Sequence, residues 1–269
     1  MMELEIKDLV CKYGEKTVLK SSNVHFKAGN VYFLLGKSGA GKSTFLEALG
    51  LMTDTMTSDS NVIFRQGEKK INLPDLWSSS DPEISGFRDA HYSFIFQSTN
   101  LMANFSAGEN MCFTKMLGGA NFEDAKVEVF KVMKDVDLAA DVFDSDIQNL
   151  SGGQRQRLAF VRALTAPHDV IFCDEPTGNL DEVVAHKLLS QLRDNVINNN
   201  KIAIVVSHDI KLALKFADEL YYAAYSKDDQ AFGLIDASSK YVKKDDFWLD
   251  HQGQKVQDLA DVLIQKIAI

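Results

Sequence analysis

The sequence predicts an α/β fold with a mainly parallel central sheet, an antiparallel β arm and a helical subdomain. Three observations carry that prediction. Short apolar runs of strand length, at residues 31–35, 170–173 and 202–206, alternate with stretches of helical period. That order builds a parallel sheet through βαβ crossovers. The first thirty residues differ, because β-branched or aromatic positions alternate with polar ones in IKDLVCKY and TVLKSSNVHF. Such alternation marks antiparallel strands. Finally, the glycine-rich turn GKSGAGKS directly follows one apolar run and opens a helical pattern.

The elements follow in order. After the two N-terminal strands, residues 31–35 form a buried strand ending at Gly36, and Phe45, Leu46, Leu49 and Gly50 suit a helix laid on the sheet. Residues 53–90 are rich in Ser, Thr and Asp, with strand-like pieces (NVIF, INL) and with Pro74 and Pro82 as breakers. They are expected to be a small β arm and loops. Residues 92–96 are the next strand. From Ala107 to Asp137 the pattern is helical, with Phe122, Ala125, Val129, Val132, Met133 and Val136 near one face. Helices are expected over 152–166 and 182–195, and strands over 170–173 and 202–206. The tail after about Ser239 ends in the stripe Val256, Leu259, Ala260, Leu263, Ile264 and Ile267. An amphipathic helix of this kind ordinarily packs on its own domain; contact with a partner chain or a second copy is the alternative.

Composition narrows the function. The 269 residues suffice for one large domain, or a domain with an appendage, and 45% hydrophobic and 25% charged residues are ordinary for a soluble globular protein. No apolar run reaches the roughly 18–20 residues of a membrane span. The N-terminal MMELEIKDLV lacks the apolar centre of a leader, so the chain is not expected to enter a membrane itself. A net charge of −9 argues against a nucleic-acid partner. Cys11, Cys112 and Cys173 are scattered, which suits buried reduced thiols, and the six histidines are dispersed, so no transition-metal site is expected.

The chemistry begins at Gly36, Lys37, Ser38, Gly39, Ala40, Gly41, Lys42, Ser43 and Thr44, a match to G-x-x-x-x-G-K-S/T between a predicted strand and a predicted helix. Glycines there let backbone N–H groups converge on phosphate oxygens, and the helix N-terminus adds partial positive charge. Lys42 is placed to reach the β- and γ-phosphates, and the Ser43 hydroxyl to ligate Mg²⁺. The fold is therefore expected to be that of a P-loop NTPase. In VIFCDEPTGNLD an apolar strand ends in Asp174 and Glu175. Ligands of open α/β sheets bind at the carboxyl ends of strands, which brings Asp174 beside the phosphate loop. Asp174 is then expected to hold Mg²⁺ through water, and Glu175 to orient or deprotonate the attacking water. His208, in VSHD, stands at a further strand end; position alone favours a structural loop residue over a catalytic one.

A second anion site appears in LSGGQRQR. Ser151 is a good N-cap, and Gly152 and Gly153, followed by Gln154, permit close backbone approach. One phosphate loop already surrounds the phosphates of its own nucleotide, so this site has no γ-phosphate left within its chain. A two-fold dimer resolves the problem if each chain offers this segment to the nucleotide held by the other.

With Tyr13, GKSGAGKST, Gln97 in FIFQ, LSGGQRQR, VIFCDEP, GNLD and VSHD in this order, residues 1 to about 224 resemble ATP-binding-cassette (ABC) transporter ATPase subunits. The resemblance implies that Tyr13 stacks on adenine and that Gln97 links Mg²⁺ and the attacking water to a membrane partner. It further implies that Asp181 crosses the dimer interface and that His208 contacts the γ-phosphate. It implies an ATPase using ATP and Mg²⁺, working as a homodimer with an integral membrane permease at the cytoplasmic face of the inner membrane, without nucleic acid. The expected division is an ATP-binding domain over 1–240, its helical subdomain at about 98–165, and a C-terminal extension over 241–269. FIFQSTNLMANFSAGENM and DEPTGNLD look most like the subgroup associated with lipoprotein release, macrolide efflux, peptide-antibiotic resistance and cell division. By the same resemblance, the loop Leu101–Phe105 borders a groove that receives a cytoplasmic helix of the membrane subunit, with Met102 and Phe105 as contacts.

Some features depart from the family pattern. The usual Thr-x-Gly before the β-arm strand is missing, Asn30 replaces a common acid, and a longer tail begins near Tyr225. The alternatives fit less well. A soluble ABC-type ATPase acting on DNA or ribosomes usually carries coiled-coil insertions or two cassettes. A P-loop kinase or GTPase has no use for LSGGQ, and a non-hydrolysing scaffold has no use for Glu175 and His208.

Overall fold

The computed structural model describes residues 2–178, 180–226 and 231–268. Strands β1 (Met2–Tyr13) and β2 (Lys16–Lys27) form an antiparallel hairpin, and β3 (Asn30–Gly36) runs straight into the phosphate loop. Helix α1 (Lys42–Leu49) follows, burying Phe45, Leu46, Ala48 and Leu49. Strands β4 (Asn61–Gln66) and β5 (Lys69–Asn72) pair antiparallel beyond β1 and complete the arm.

Residues 53–90, expected as a small β arm and loops, also hold helix α2 (Leu73–Leu76) and nearly all of α3 (Asp81–His91). Pro82 does not break structure here. It sits in the first turn of α3, where its fixed φ suits the helix and its missing N–H is not needed. Ser80 and Glu83 close a reciprocal capping box around that start.

After β6 (Tyr92–Ile95) come the helices α4 (Ala107–Leu117), α5 (Phe122–Asp135) and α6 (Gly152–Thr165). The predicted apolar face of α5 is the packed one: Ala125, Val129 and Met133 are buried, with Val136 just beyond. Then β7 (Val170–Asp174), α7 (Glu182–Asn198), β8 (Ile202–Val206), α8 (Ile210–Phe216), β9 (Glu219–Tyr225) and β10 (Gly233–Asp236) finish the central body.

Strands β9, β3, β8, β7 and β6 lie side by side and parallel, and β10 joins this core to the arm by pairing with both β9 and β2. Each central strand is buried on both faces, as parallel strands between helical layers must be. Their alternation sorts side chains into two cores. Phe33, Leu35, Ile171, Cys173, Ala203 and Val205 face the helical subdomain with α7 and α8. Tyr32, Leu34, Phe172, Ile204 and Val206 face α1, α3 and the arm.

The tail adds β11 (Lys240–Lys244), β12 (Phe247–Leu249), β13 (Lys255–Val256) and α9 (Leu259–Ala268). The expected boundary at residue 240 falls on the first residue of β11, which pairs antiparallel with β9. The amphipathic helix packs on its own chain against α8, burying Leu259 and Leu263. The Tyr222 hydroxyl donates to the Lys266 carbonyl at 2.6 Å, and Lys266 Nζ donates to the Tyr241 hydroxyl at 2.7 Å.

Candidate active site

The carboxyl ends of β3, β7 and β8 open on one cavity of about 460 Å³. Gly36, Ser38, Gly39, Gly41, Lys42, Ser43 and Thr44 line it from one side, with Gln97, Asp174, Glu175 and His208 from the other. Lys37 and Ala40 belong to the loop but do not line the cavity, and Ala40 is fully buried. Tyr13 does not line the cavity; it is half exposed where β1 turns into β2.

The loop's shape comes from its sequence. Gly39 and Gly41 hold φ of 79° and 77°, left-handed values that a side chain would strain. Lys42 Nζ donates to the carbonyls of Gly36 and Lys37, at 2.8 Å each, which sets the ammonium at the cavity. Burial lowers its pKa from the ordinary value, and the nearby Glu175 and Asp174 carboxylates oppose the shift.

Asp174 is the last residue of β7. Burial raises its pKa above the ordinary carboxylate value, while the Ser43 hydroxyl and the Lys42 ammonium pull it down. Its Oδ1 is buried without a hydrogen-bond partner. An anionic oxygen so placed, beside a serine hydroxyl and the Gln97 amide, fits a hard divalent cation with oxygen ligands. Glu175 follows at φ 47°, a left-handed conformation in a non-glycine residue, and its N–H is tied to the Val206 carbonyl at 3.0 Å. His208 Nδ1 lies 2.8 Å from Glu175 Oε2, so adjacent strand ends deliver a carboxylate–imidazole pair.

Ser151–Gln154 do not line this cavity. Ser151 caps α6: its Oγ accepts from the Gln154 N–H at 3.2 Å, and Gln154 Oε1 accepts from the Ser151 N–H at 2.8 Å. Ser151 and Gly152 are exposed, with Gly153 and Gln154 half-buried. Asp181 caps α7 through the Val184 N–H at 3.0 Å and is itself exposed. Asn179, in the GNLD stretch, lies outside the described residues.

Three further residues shape the site without having been singled out in the sequence, although Gln156 lies within LSGGQRQR and Asn110 within FIFQSTNLMANFSAGENM. Gln156 is buried and donates from Nε2 to the Pro176 carbonyl at 2.6 Å, joining the helix begun by Ser151 to the turn after Glu175. A polar residue on the core-facing side of α6, one turn before fully buried Phe160, was the available signal. Asn110, wholly buried on α4, holds the loop after Gln97 by both amide atoms, accepting from Met102 N and donating to Met102 O and Ser106 O. Tyr225 donates to the Ser38 carbonyl of the phosphate loop at 2.8 Å, and no periodicity announces it.

Comparison with known proteins identifies the family. The family model described as ABC transporter matches residues 19–178. The lipoprotein-releasing system ATP-binding protein LolD of Bdellovibrio bacteriovorus is 34% identical over 204 residues, which are 76% of this chain and 88% of that protein. The macrolide export ATP-binding/permease protein MacB of Psychrobacter cryohalolentis is 31% identical over 236 residues, 84% of this chain but 34% of the longer relative. Among solved structures, a dimeric ATP-binding cassette in a post-hydrolysis state, bound to ADP and Pi, superimposes with a TM-score of 0.69 at 29% identity. The match covers 82% of this chain and 94% of that one. The chain belongs to the ABC transporter family, and it is an ATP-binding, ATP-hydrolysing cassette of that family.

Proposed function

We propose that two copies of this chain close on two ATP molecules and that closure and reopening move an integral membrane partner. One observation supports this most directly. The phosphate loop, Asp174, Glu175, Gln97 and His208 converge on one cavity, while the exposed start of α6 stands outside it. The second anion site is thus free for the nucleotide of another copy, and Asp181, at the start of α7, is exposed as well. Gly36 to Thr44 cradle the phosphates and Tyr13 stacks on adenine. Ser43, Gln97 and Asp174 hold Mg²⁺, which when bound neutralises charge on the β- and γ-phosphates.

Glu175 takes the proton of the attacking water on its carboxylate. His208 holds that carboxylate through Nδ1 and faces the γ-phosphate. Residues 1–240 form the ATP-binding unit, with a helical subdomain at about 98–165, and 241–269 form an extension. The chain sits at the cytoplasmic face of the inner membrane, held there by its partner; among the described residues no helix is long and apolar enough to cross a membrane. Relatives named for lipoprotein release and macrolide export support a role in moving a partner that handles a large amphiphile.

Replacing Glu175 by Gln tests the reading. The variant keeps ATP affinity, loses turnover, and elutes as a dimer with ATP and Mg²⁺ on size exclusion. A variant that binds ATP but stays monomeric sinks the shared-site proposal.

A further inference from the structure

The outer side of the phosphate loop, away from the cavity, rests on β9 and β10. Three contacts run along it in register. Gly36 pairs with Ala223, so closely that a Cβ on Gly36 would lie 2.5 Å from the Ala223 carbonyl oxygen. The Tyr225 hydroxyl donates to the Ser38 carbonyl at 2.8 Å, and it would lie 2.9 Å from a Cβ on Gly39. Gly233, opposite Tyr225 in the ladder, meets Ala40: a Cβ there would lie 2.2 Å from the Ala40 carbonyl oxygen. No other described hydrogen bond from a side chain outside the loop reaches a loop backbone group between Gly36 and Gly41.

We infer that β9 and β10 form a bracket that sets the phosphate loop in its anion-binding shape, with Tyr225 as its polar positioning residue. The physical reason is the direction of the peptide groups. A loop that binds phosphate turns N–H groups inward, so a carbonyl that Lys42 does not take, such as that of Ser38, requires a donor from outside the loop. The Ser38 carbonyl takes its donor from Tyr225. That bond orients the peptide whose N–H belongs to Gly39, the loop residue at φ 79° that lines the cavity. Gly233 serves the same end by shape, because only a residue without Cβ lets β10 support the Ala40 peptide at this distance. Strand β9 also pairs with β11 and carries Tyr222, which is bonded to α9, so the bracket is anchored from behind by the tail.

The inference rests on the assignment of the cavity to ATP, and its test separates the two. Tyr225→Phe keeps the ring and removes the donor. With the loop less well held before and during reaction alike, the dissociation constant of MgATP and the KM rise about threefold to tenfold while kcat stays near wild type. The melting temperature of the nucleotide-free protein stays unchanged, which a merely structural tyrosine at a strand end would not allow if its loss weakened the protein. Gly233→Ala, which pushes the Ala40 peptide directly, weakens binding more than Tyr225→Phe does.

Lys42→Ala, titrated in parallel, calibrates the site. If Lys42→Ala abolishes binding while Tyr225→Phe and Gly233→Ala bind like wild type, the bracket is wrong and the ATP site stands. If Lys42→Ala binds like wild type, the site assignment fails and the bracket falls with it. A Tyr225→Phe protein whose affinity falls only in step with its melting temperature also overturns the positioning role.

Discussion

Glu175 is the residue at which fold and chemistry pull in different directions. Its left-handed φ of 47° costs a non-glycine residue about 1–3 kcal/mol. The cost places its carboxylate against His208 and into the phosphate cavity. Glu175→Gly, free of that strain, is expected to be more stable than Glu175→Ala by about 1 kcal/mol, read by urea unfolding, with both variants inactive. Equal stabilities would show that the backbone there is not strained. His168 is a second residue with a measurable signature. It is buried, its Nδ1 bonds the Ala166 carbonyl at 2.8 Å, and its Nε2 faces Lys201 Nζ at 3.3 Å. Burial lowers its pKa to about 4 from 6.5, reinforced by Lys201 and opposed by the Ala166 carbonyl, Asp169 and Asn195. Between those values the unfolded chain binds a proton that the folded protein does not. Stability therefore holds above pH 6.5 and falls as pH drops toward 4, by about 2 kcal/mol at pH 5 from this residue alone. His168→Gln should lose correspondingly less stability between pH 7.5 and 5; identical acid losses in both proteins would remove His168 as the cause.

At the scale of elements, the loop between β6 and α4 shows what side-chain hydrogen bonding adds to pattern. Asn110 fixes the backbone from Met102 to Ser106, so an apolar segment is held at the surface of the helical subdomain instead of folding inward. Leu101 packs against the core, Met102 is half-buried, and Phe105 is 37% exposed with its ring 5.8 Å from that of Phe113. A cavity of about 390 Å³ lies nearby, where Phe94, Phe96 and Asn100 meet Leu117 and Arg162. We propose that the loop beside this cavity receives a cytoplasmic helix of the membrane partner, with Met102 and Phe105 as contacts, the flexible thioether adapting to a partner that moves. Met102→Glu and Phe105→Glu are expected to leave ATP affinity and melting temperature intact while reducing co-purification with that partner. Lost thermal stability with intact co-purification would identify both residues as core. Strands β3, β7 and β8 were legible from the chain because they are buried on both faces and read as unbroken apolar runs, and β1 and β2 because they alternate. Strands β9 to β13, whose partners lie far away in the chain or in short hairpins, were not. Helix α3 was not: Pro82 reads as a breaker unless the Ser80–Glu83 box three residues apart is weighed with it. The partners of Asn110, Gln156 and Tyr225 were not legible either. They are set by packing between elements, and Tyr225 bonds a residue 187 positions away.

The whole molecule is one sheet that carries the arm at one end and β6 at the other, with the tail branching from β9 between them, and its activity is proposed to need a second copy. Ser151→Arg blocks the start of α6 but leaves the phosphate loop intact, so alone it should close no complete site and hydrolyse little ATP. Mixed with Lys42→Ala protein, it forms heterodimers with one complete site, made from the unaltered half of each chain, and activity partly returns. Normal hydrolysis by Ser151→Arg alone would refute sharing between copies. The bracket behind the phosphate loop has a consequence in time as well as in space. Gly41 leaves the ribosome early, but Gly233 follows roughly 190 residues later, about 10 to 40 s at the usual pace of synthesis. Strand β10 is also the strand that pairs with β2 near the chain's beginning. A nascent or prematurely terminated chain thus carries the whole nucleotide motif without the strands that shape it. Such fragments would hold ATP poorly and make weak partners for finished subunits, so the order of synthesis itself keeps incomplete chains out of the working pair.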